Sequence, residues 1–354
     1  MNLTIEIEDM EESPKMKNKE IVPNELSKET KASMKTRIIS AIVGAIIIIP
    51  VIFLGDFFIF GVMAFILLVS TYEIIHCAKR KYNIALYIVA FILALLMTYW
   101  PIIRSMPDCF KTAGYDWSSW RVFNAFNEIY ISLSVLALSA FGLFVMVLID
   151  KGFTVRDACF IFTMMLIITV GYQSILYIRY LPSSAYHQVN HVESYFNMYD
   201  NLESCLLLVY VLLGTFFTDI GAYFVGVFFG KHKMLERISP KKTWEGFFGG
   251  VIISTIASFG FGMAFCLTGH PLVLGILDKE HWYFILTLSL IIPLTSVLGD
   301  FVFSACKRHF DIKDFGNIIP GHGGMLDRLD SVIFSMIATA VFLELIQYWS
   351  AIIQ

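Results

Sequence analysis

The sequence predicts an all-α fold, a polytopic transmembrane helix bundle with about nine spans. Hydrophobic residues make up 57% of the 354 residues and charged residues only 16%, against about 25% charged residues in soluble domains. Apolar runs long enough to cross a bilayer recur along the chain, and the polar connections between them alternate in basic character. These three observations exclude an ordinary soluble domain.

The first 36 residues are expected to form a disordered cytoplasmic tail. They contain an acidic patch, scattered lysines and almost no aromatic residues, so they cannot bury enough apolar surface to fold alone. Because this polar segment precedes the first apolar run, we expect no cleavable signal peptide, and the first span would direct insertion. Residues 37–354 would then form one membrane domain, whose chemically informative motifs lie in 215–330.

Nine apolar runs come close to the roughly 17–25 residues that a helix needs to span the hydrocarbon. The sixth run contains Asp219, so we expect it to be tilted or broken. An alternative with eight spans and a re-entrant sixth run would break the alternation of basic connections. The runs cover about 38–54, 57–76, 84–103, 128–149, 158–179, 204–229, 247–268, 282–303 and 331–351.

The orientation is predicted from the positive-inside rule, because Lys and Arg concentrate in every second connection. The connections at 79–81, 230–246 and 304–330 are basic, whereas 181–201 contains no Lys or Arg. We therefore expect the amino terminus and the basic connections on the cytoplasmic side and the carboxyl terminus on the other side.

Neither the net charge nor the cysteines indicate a particular partner or site. The net charge of −3 gives no sign of a nucleic-acid partner. The six cysteines are scattered without CxxC or Cys/His ligand spacing, so neither a disulfide framework nor a zinc site is indicated.

The sixth run and the connection after it form the first informative stretch. A carboxylate such as Asp219 at the centre of a span costs roughly 2.5–3.5 kcal/mol on insertion scales, which makes it a functional candidate. The alternative is a packing role in which Asp219 pairs with a basic group. The following segment SPKKTWEG places Ser239, Lys241, Lys242 and Thr243 together; this cluster suits phosphate oxygens, or only anionic lipid headgroups.

The eighth run ends in the second stretch, LGDFVFSACKRHFDIKDFG. The helical period makes Asp300, Ser304, Lys307 and Arg308 compatible with one face, which runs from a carboxylate to cations. This order of charges suits a metal ion bound near the membrane, with the phosphates of a substrate on its solvent side.

The third stretch, PGHGGMLDRLDS, precedes the ninth run. Its glycines, Gly323 and Gly324 among them, favour a backbone concavity that binds anions. The helix that follows favours carboxylates and phosphates at its amino terminus. Asp327 and Asp330 would lie on one side of its first turn. The alternative is that these aspartates only cap the helix. A cap, however, does not need the neighbouring His322 and Arg328.

Carboxylates and cations of this kind, without a Ser/His/Asp set, favour metal-assisted phosphoryl or nucleotidyl transfer over acyl transfer. The segment SACKRHFDIKDFGNIIPGHGGMLDRLD at 304–330 also resembles the signature of phosphatidate cytidylyltransferases, or CDP-diacylglycerol synthases, and SPKKTWEG resembles their second motif. The similarity covers roughly 36–351. Cys306 departs from the family pattern, which has an aliphatic residue there.

This resemblance implies a Mg²⁺-dependent enzyme that condenses CTP with phosphatidic acid to give CDP-diacylglycerol and pyrophosphate. It also implies a homodimer surrounded by membrane lipids, with the site at the cytoplasmic surface of the endoplasmic reticulum; a bacterial plasma membrane is the alternative location. On this basis, the expected metal ligands are Asp219, Asp300, Asp327 and Asp330. The expected catalytic residues are Lys307, Arg308, Lys313, Arg328 and His322. The expected substrate-binding residues are Ser239, Lys241, Lys242, Thr243, Ser304, Gly323 and Gly324.

Two other functions fit part of the pattern. A CTP-dependent lipid kinase of the polyprenol type would share the metal and phosphate groups. A secondary transporter would also have many spans and buried carboxylates, but its interrupted helices should lie near the midplane in corresponding halves of the chain. Here the polar groups gather at one face, which favours an enzyme.

Overall fold

The computed structural model of the protein describes residues 28–54, 56–112, 132–190 and 198–353. These residues form nine helices and one short β-hairpin, which confirms the predicted all-α fold. The helices are α1 (Lys28–Leu54), α2 (Asp56–His76), α3 (Ile84–Thr112), α4 (Leu133–Ile149), α5 (Val155–Asn190), α6 (Met198–Phe229), α7 (Trp244–Leu267), α8 (Trp282–His309) and α9 (Leu326–Ile353), and the strands are β1 (Lys233–Leu235) and β2 (Ser239–Thr243).

Seven of these helices are long and apolar enough to cross a membrane within the described ranges, and two shorter apolar helices accompany them. The shorter ones are Ile42–Leu54 in α1 and Leu133–Ile149, which is α4. Each coincides with one of the nine predicted runs, so the protein is an integral membrane protein with a polytopic bundle. Residues 128–131 at the start of the fourth predicted run lie outside the described residues.

Two helix boundaries differ from the predicted runs in ways that matter for the site. Helix α1 begins at Lys28, so residues 28–36, which we expected in the tail, are helical; Lys, Glu, Ala and Met in this stretch all favour helix. Residues 1–27 lie outside the described part of the chain. Helix α8 continues past residue 303, where the apolar run ends, to His309, so Lys307 and Arg308 are helical, as their spacing from Asp300 predicted.

Helices α6 and α7 pack at close range because small residues line their contact. An added Cβ at Gly250 would lie 2.7 Å from the carbonyl oxygen of Thr218, and one at Gly246 would lie 2.8 Å from that of Ala222. Small residues allow this approach between membrane helices. The Ser254 hydroxyl adds a hydrogen bond of 2.6 Å to the Gly214 carbonyl.

Helix α5 is the most buried span and contacts α2, α3, α4, α6 and α9. Its Tyr172 hydroxyl lies 3.0 Å from the Ser70 hydroxyl of α2, and the Gln173 amide donates to the Met97 carbonyl of α3 at 2.6 Å. On the outer surface, Phe228 of α6 and Ile256 of α7 are exposed. Exposed apolar side chains on spanning helices are suited to lipid contact.

The β-hairpin between α6 and α7 was not predicted. Strand β1 pairs antiparallel with β2, with Lys233 opposite Thr243 and Leu235 opposite Ser239. Thr243 ends β2 and caps α7, because its hydroxyl accepts the Gly246 N–H at 3.2 Å. The hairpin thus lies where α6 ends and α7 begins, close to the carboxyl end of α8.

Candidate active site

Asp300 of α8 connects that helix to the hairpin. Its Oδ2 forms an ion pair with Lys242 of β2, and its Oδ1 accepts a hydrogen bond of 3.1 Å from Ser304 one turn later. The Lys242 ammonium also lies 4.4 Å from the ring centre of Phe301. About a quarter of each charged side chain stays exposed, 28% for Lys242 and 27% for Asp300, so both groups can exchange partners with a ligand.

The hairpin separates the two lysines that the sequence placed side by side. Successive side chains of a strand point to opposite faces, and so Lys242 reaches Asp300 while Lys241 is exposed. Ser239 is half-buried in the strand pair. Thr243 is 6% exposed and engaged as the α7 cap, a geometry that favours a structural role over the expected contact with substrate.

Lys307 of α8 lies between the two aspartates of α9. Its Nζ is 2.9 Å from Asp327 Oδ1 and 3.9 Å from Asp330 Oδ2, so both aspartates do face one side of the helix, as predicted. The Lys307 side chain is only 10% exposed and also lies over the Phe315 ring, 5.5 Å from its centre. Lys307 therefore joins α8 to α9 in addition to bringing a cation to this region.

The second oxygen of Asp327 is occupied as well. The backbone N–H groups of Phe315 and Gly324 donate to Asp327 Oδ2 at 2.8 and 3.0 Å. The Asp327 side chain is 3% exposed, compared with 13% for Asp330. Asp327 thus has three internal donors, and a metal ion would have to displace at least one of them. This geometry favours a structural role for Asp327 over the expected metal ligation.

The glycine-rich loop adopts the non-helical backbone that its composition predicted. Gly321 and Gly323 have φ of 75° and 91°, a region that glycine enters without the Cβ clash of other residues. Between them, His322 is held at two points: Nδ1 lies 2.7 Å from the Ser40 hydroxyl of α1, and the Arg328 guanidinium donates to its carbonyl at 2.6 Å.

The Ser40 hydroxyl joins α1 to the glycine-rich loop. It lies 2.7 Å from His322 Nδ1 and 3.0 Å from the Arg37 carbonyl, and its single proton can serve one of these two acceptors at a time. The imidazole is thus oriented through Nδ1, and Nε2 takes no part in this contact.

Asp219 of α6 is exposed and has neither a hydrogen bond nor an ion pair within the described residues. It interacts electrostatically with Asp300, Lys242 and Arg328, and Asp330 interacts with Asp219, Asp300 and Lys307. Three helices therefore bring Asp219, Asp300 and Asp330 to one region of the bundle, as the sequence predicted. For the alternative, in which a basic group pairs with Asp219 for packing, the described residues offer only these longer-range interactions with Lys242 and Arg328, and neither forms an ion pair with Asp219.

The remaining predicted cationic residues lie around this region, and they differ in whether they already form hydrogen bonds. Arg308 donates to the carbonyls of Ile238 and Ile312 at 3.3 and 3.1 Å, which joins the hairpin to the loop after α8. Lys313 and Arg328 are exposed.

Glu73 and Ser40 were missed by the sequence reasoning. Glu73 of α2 is 1% exposed, and its carboxylate accepts the backbone N–H groups of Met325 and Leu326 at 2.8 and 2.9 Å. One signal was available for Glu73, since it is the lone acidic residue near the end of an apolar run. Nothing in the local sequence distinguishes Ser40, whose role depends on the contact of α1 with the glycine-rich loop.

The donor set fits a hard divalent cation that also binds substrate. Among the described residues, no three His, Cys, Asp or Glu side chains lie close enough to enclose a metal ion. Mg²⁺, however, commonly uses one or two carboxylates together with substrate phosphates. Within the part of the chain that the structure describes, Asp219 has no hydrogen bond or ion pair, and the side chains of Asp300 and Asp330 are partly exposed, 27% and 13%. These three carboxylates fit Mg²⁺ better than Asp327 does.

Comparison with known proteins gives one family and several relatives. A profile of the cytidylyltransferase family matches residues 35–346. A Staphylococcus epidermidis protein named phosphatidate cytidylyltransferase is 31% identical over 304 residues, which cover 85% of this chain and 95% of the relative. Proteins of the same name from Bacillus subtilis and Mycobacterium leprae are 45% and 42% identical, over 34% and 40% of this chain. The chain spans only 40% of the length of each of these two relatives in the matched regions.

Proposed function

The chain belongs to the cytidylyltransferase family, and we propose that it transfers CMP from CTP to phosphatidic acid, giving CDP-diacylglycerol and pyrophosphate. The observation that carries this proposal is the gathering of Asp219, Asp300 and Asp330 from three helices beside Lys242 and Lys307. The name of the Staphylococcus epidermidis relative, matched over nearly its whole length, supports the choice of substrates.

The proposed reaction is a direct displacement. A phosphate oxygen of phosphatidate attacks the α-phosphorus of CTP, and a new P–O bond forms while the bond from the α-phosphorus to the β-phosphate oxygen breaks. Pyrophosphate leaves with that electron pair. The phosphate of phosphatidate is already an anionic nucleophile, so the protein has to position two polyanions and stabilise the charge on the leaving group.

The exposure of each charged side chain indicates whether it is free to bind a substrate phosphate or is held in place by other residues. Lys242 can turn from Asp300 to a substrate phosphate, because its ion pair is partly exposed. The exposed Lys313 and Arg328 can hold further phosphate oxygens. Lys307 is buried between Asp327 and Asp330, and we assign it mainly to fixing the position of Asp330.

One or two of the carboxylates Asp219, Asp300 and Asp330 would hold Mg²⁺ together with phosphate oxygens. When bound, the cation would neutralise charge on the triphosphate and on the departing pyrophosphate. We assign Asp327 to the support of the loop instead, since its oxygens already accept from Lys307, Phe315 and Gly324. His322 is held by Ser40 through Nδ1, and we assign its Nε2 to a hydrogen bond with a phosphate oxygen.

The cytoplasmic orientation of the site rests on the basic character of 230–246 and 304–330. CTP is a cytoplasmic nucleotide, so the proposed activity requires this orientation. The relatives named above are bacterial, and they give no support to an endoplasmic reticulum location; a bacterial plasma membrane fits them better. A homodimer stays an expectation from the family resemblance.

The test is CMP transfer by purified protein in mixed micelles that contain phosphatidic acid. With CTP labelled in the cytosine ring, label should enter the lipid fraction only when phosphatidic acid and Mg²⁺ are both present. A lipid kinase would instead transfer label from the γ-phosphate and none from the base, and a transporter would label no lipid. Either of these outcomes contradicts the proposal.

A further inference from the structure

Glu73 is a buried carboxylate outside the two motifs, in the second span of the chain. It is 1% exposed, and no Lys, Arg or His forms an ion pair with it within the part of the chain that the structure describes. Burying an isolated carboxylate is costly unless other groups compensate for the lost hydration. Its compensation comes from the start of α9, where the N–H groups of Met325, just before the helix, and of Leu326, its first residue, donate to the two carboxylate oxygens.

The pairing of Glu73 with α9 is favourable for two reasons. The first N–H groups of a helix have no partner inside the helix, so an acceptor placed there satisfies them. The helix dipole also favours a negative charge at this end. The bonds join residues 252 and 253 positions apart, so they fix α2 against the start of α9.

Two glycines make room for this carboxylate. A Cβ at Gly316 would lie 2.6 Å from Glu73 Oε1, and the three atoms nearest to it all belong to Glu73. A Cβ at Gly324 would also lie 2.6 Å from Glu73 Oε1, and it would clash with the Gly316 backbone as well. The loop after α8 thus closes around the end of Glu73, with a glycine on each side.

Glu73 and Asp327 together bind four backbone N–H groups of this loop. Asp327 accepts those of Phe315 and Gly324, and Glu73 accepts those of Met325 and Leu326. The sequence predicted that this helix terminus and its glycines would bind substrate phosphate. These four N–H groups already bind the protein's own carboxylates, so the side-chain cations are the better candidates for holding substrate phosphates.

We propose that Glu73 is a positioning residue for the active site, which anchors the loop 316–326 from α2 and thereby sets the places of His322, Asp327 and Asp330. It acts through the loop and touches neither substrate nor metal. The connection is direct. Within this loop, the N–H of Gly324 donates to Asp327, and the carbonyl of His322 accepts from Arg328 of α9. The effect on turnover rests on the proposed function, whereas the anchoring itself does not.

The test is a double-variant cycle that pairs Glu73→Asp with Gly316→Ala. The first substitution withdraws the carboxylate by one methylene, and the second adds a methyl group where that carboxylate now lies. Each single variant should lower kcat per folded molecule by about 10²-fold, as expected for a misplacement of about 1 Å in a catalytic group, with KM for CTP changed far less. The double variant should have a higher kcat than the Gly316→Ala variant, because the added methyl group then occupies the space that the shortened carboxylate leaves.

Hydrogen exchange measures the anchoring without reference to activity. Glu73→Gln replaces one acceptor oxygen by a donor, so amides in 316–326 should exchange faster, while those of α7 stay unchanged. Gly61→Ala is the matched control on α2, because an added Cβ there meets nothing within 4 Å; kcat and exchange should both equal those of the parent protein.

The results separate the two proposals. If the parent protein transfers no CMP, the proposed function fails, and faster exchange in 316–326 still supports the anchor. Unchanged exchange in Glu73→Gln, or losses in kcat that simply multiply in the double variant, would overturn the role of Glu73. A structural role without positioning would lower the yield of folded Glu73→Asp and leave its kcat per folded molecule intact, which would also overturn the proposal.

Discussion

Two groups of carboxylates meet at the same end of the bundle, and they differ in how far their oxygens are already satisfied. The open carboxylates are Asp219, Asp300 and Asp330. Asp300 contacts only the side chains of Lys242 and Ser304, Asp330 has a long contact with Lys307 and accepts one neighbouring N–H, and Asp219 has neither a hydrogen bond nor an ion pair among the described residues. The closed carboxylates, Glu73 and Asp327, are buried and accept two backbone N–H groups each.

Asp327 and Asp330 make the contrast sharpest, because they lie three residues apart on one helix and both face Lys307. Asp327 contacts Lys307 at 2.9 Å and is 3% exposed, and Asp330 lies at 3.9 Å and is 13% exposed. Residue type and helical position are therefore insufficient to assign a role. Free oxygens are needed to bind a cation, and satisfied ones hold the backbone in place.

The largest effect on activity is expected for Asp300→Asn. The substitution removes a charge from the open group, and kcat should fall by about 10²- to 10³-fold, the range seen when one group that stabilises transition-state charge is lost. Its partner Lys242 is 28% exposed and can be solvated, so the unfolding temperature in detergent should change little. Activity per folded molecule and a thermal unfolding curve measure the two quantities. A large fall in unfolding temperature would move Asp300 to the closed group.

The next effect is on stability and concerns Asp327→Asn. Asn keeps the ability to cap a helix, but the buried Lys307 ammonium loses its nearest anion. Removing one partner of a buried ion pair costs about 3–5 kcal/mol, and the unfolding temperature should fall accordingly. Asp330→Asn is the matched control on the same turn, with a smaller expected loss because its contact with Lys307 is longer. Equal stability of the two variants would remove the distinction between the groups.

A smaller effect is expected on the metal requirement. Asp219→Asn should raise the Mg²⁺ concentration for half-maximal rate by about tenfold or more, since groups that support a bound metal contribute that much to its affinity. Asp327→Asn, assayed as folded protein, should keep the Mg²⁺ requirement of the parent. Rate against Mg²⁺ concentration distinguishes them. An unchanged requirement in Asp219→Asn, combined with a loss of stability, would place Asp219 among packing residues.

The smallest effect is expected at the contact between α1 and the loop. Ser40→Ala removes one hydrogen bond to His322, worth about 1 kcal/mol, so kcat should fall by about fivefold. Ser40→Thr retains the hydroxyl and should keep most of the rate. Equal kcat in the Ala and Thr variants would show that the imidazole is positioned without Ser40.

The helical bundle could be predicted from sequence because hydrocarbon imposes a local requirement. A span must be apolar and must satisfy its backbone within one helix, so each predicted run coincides with a helix of the described chain. The β-hairpin at 233–243 could not be predicted, since its strands are too short to have a clear alternating pattern. The eighth apolar run ends at 303, and α8 continues to His309, as the helical spacing of Asp300, Ser304 and Lys307 indicated.

The sequence by itself determined which charged residues lie within or next to α6, α8 and α9, because position along a membrane helix sets depth. It could not decide their partners, which depend on distances between helices far apart in the chain. Lys242 and Lys241 are neighbours, and only the strand geometry sends one of them to Asp300. Glu73 meets Leu326 across 253 positions, and only the packing of α2 against the loop turns a lone acidic residue into an anchor. Desolvation and hydrogen bonding act over a few ångströms, so the roles of the carboxylates follow from the tertiary structure.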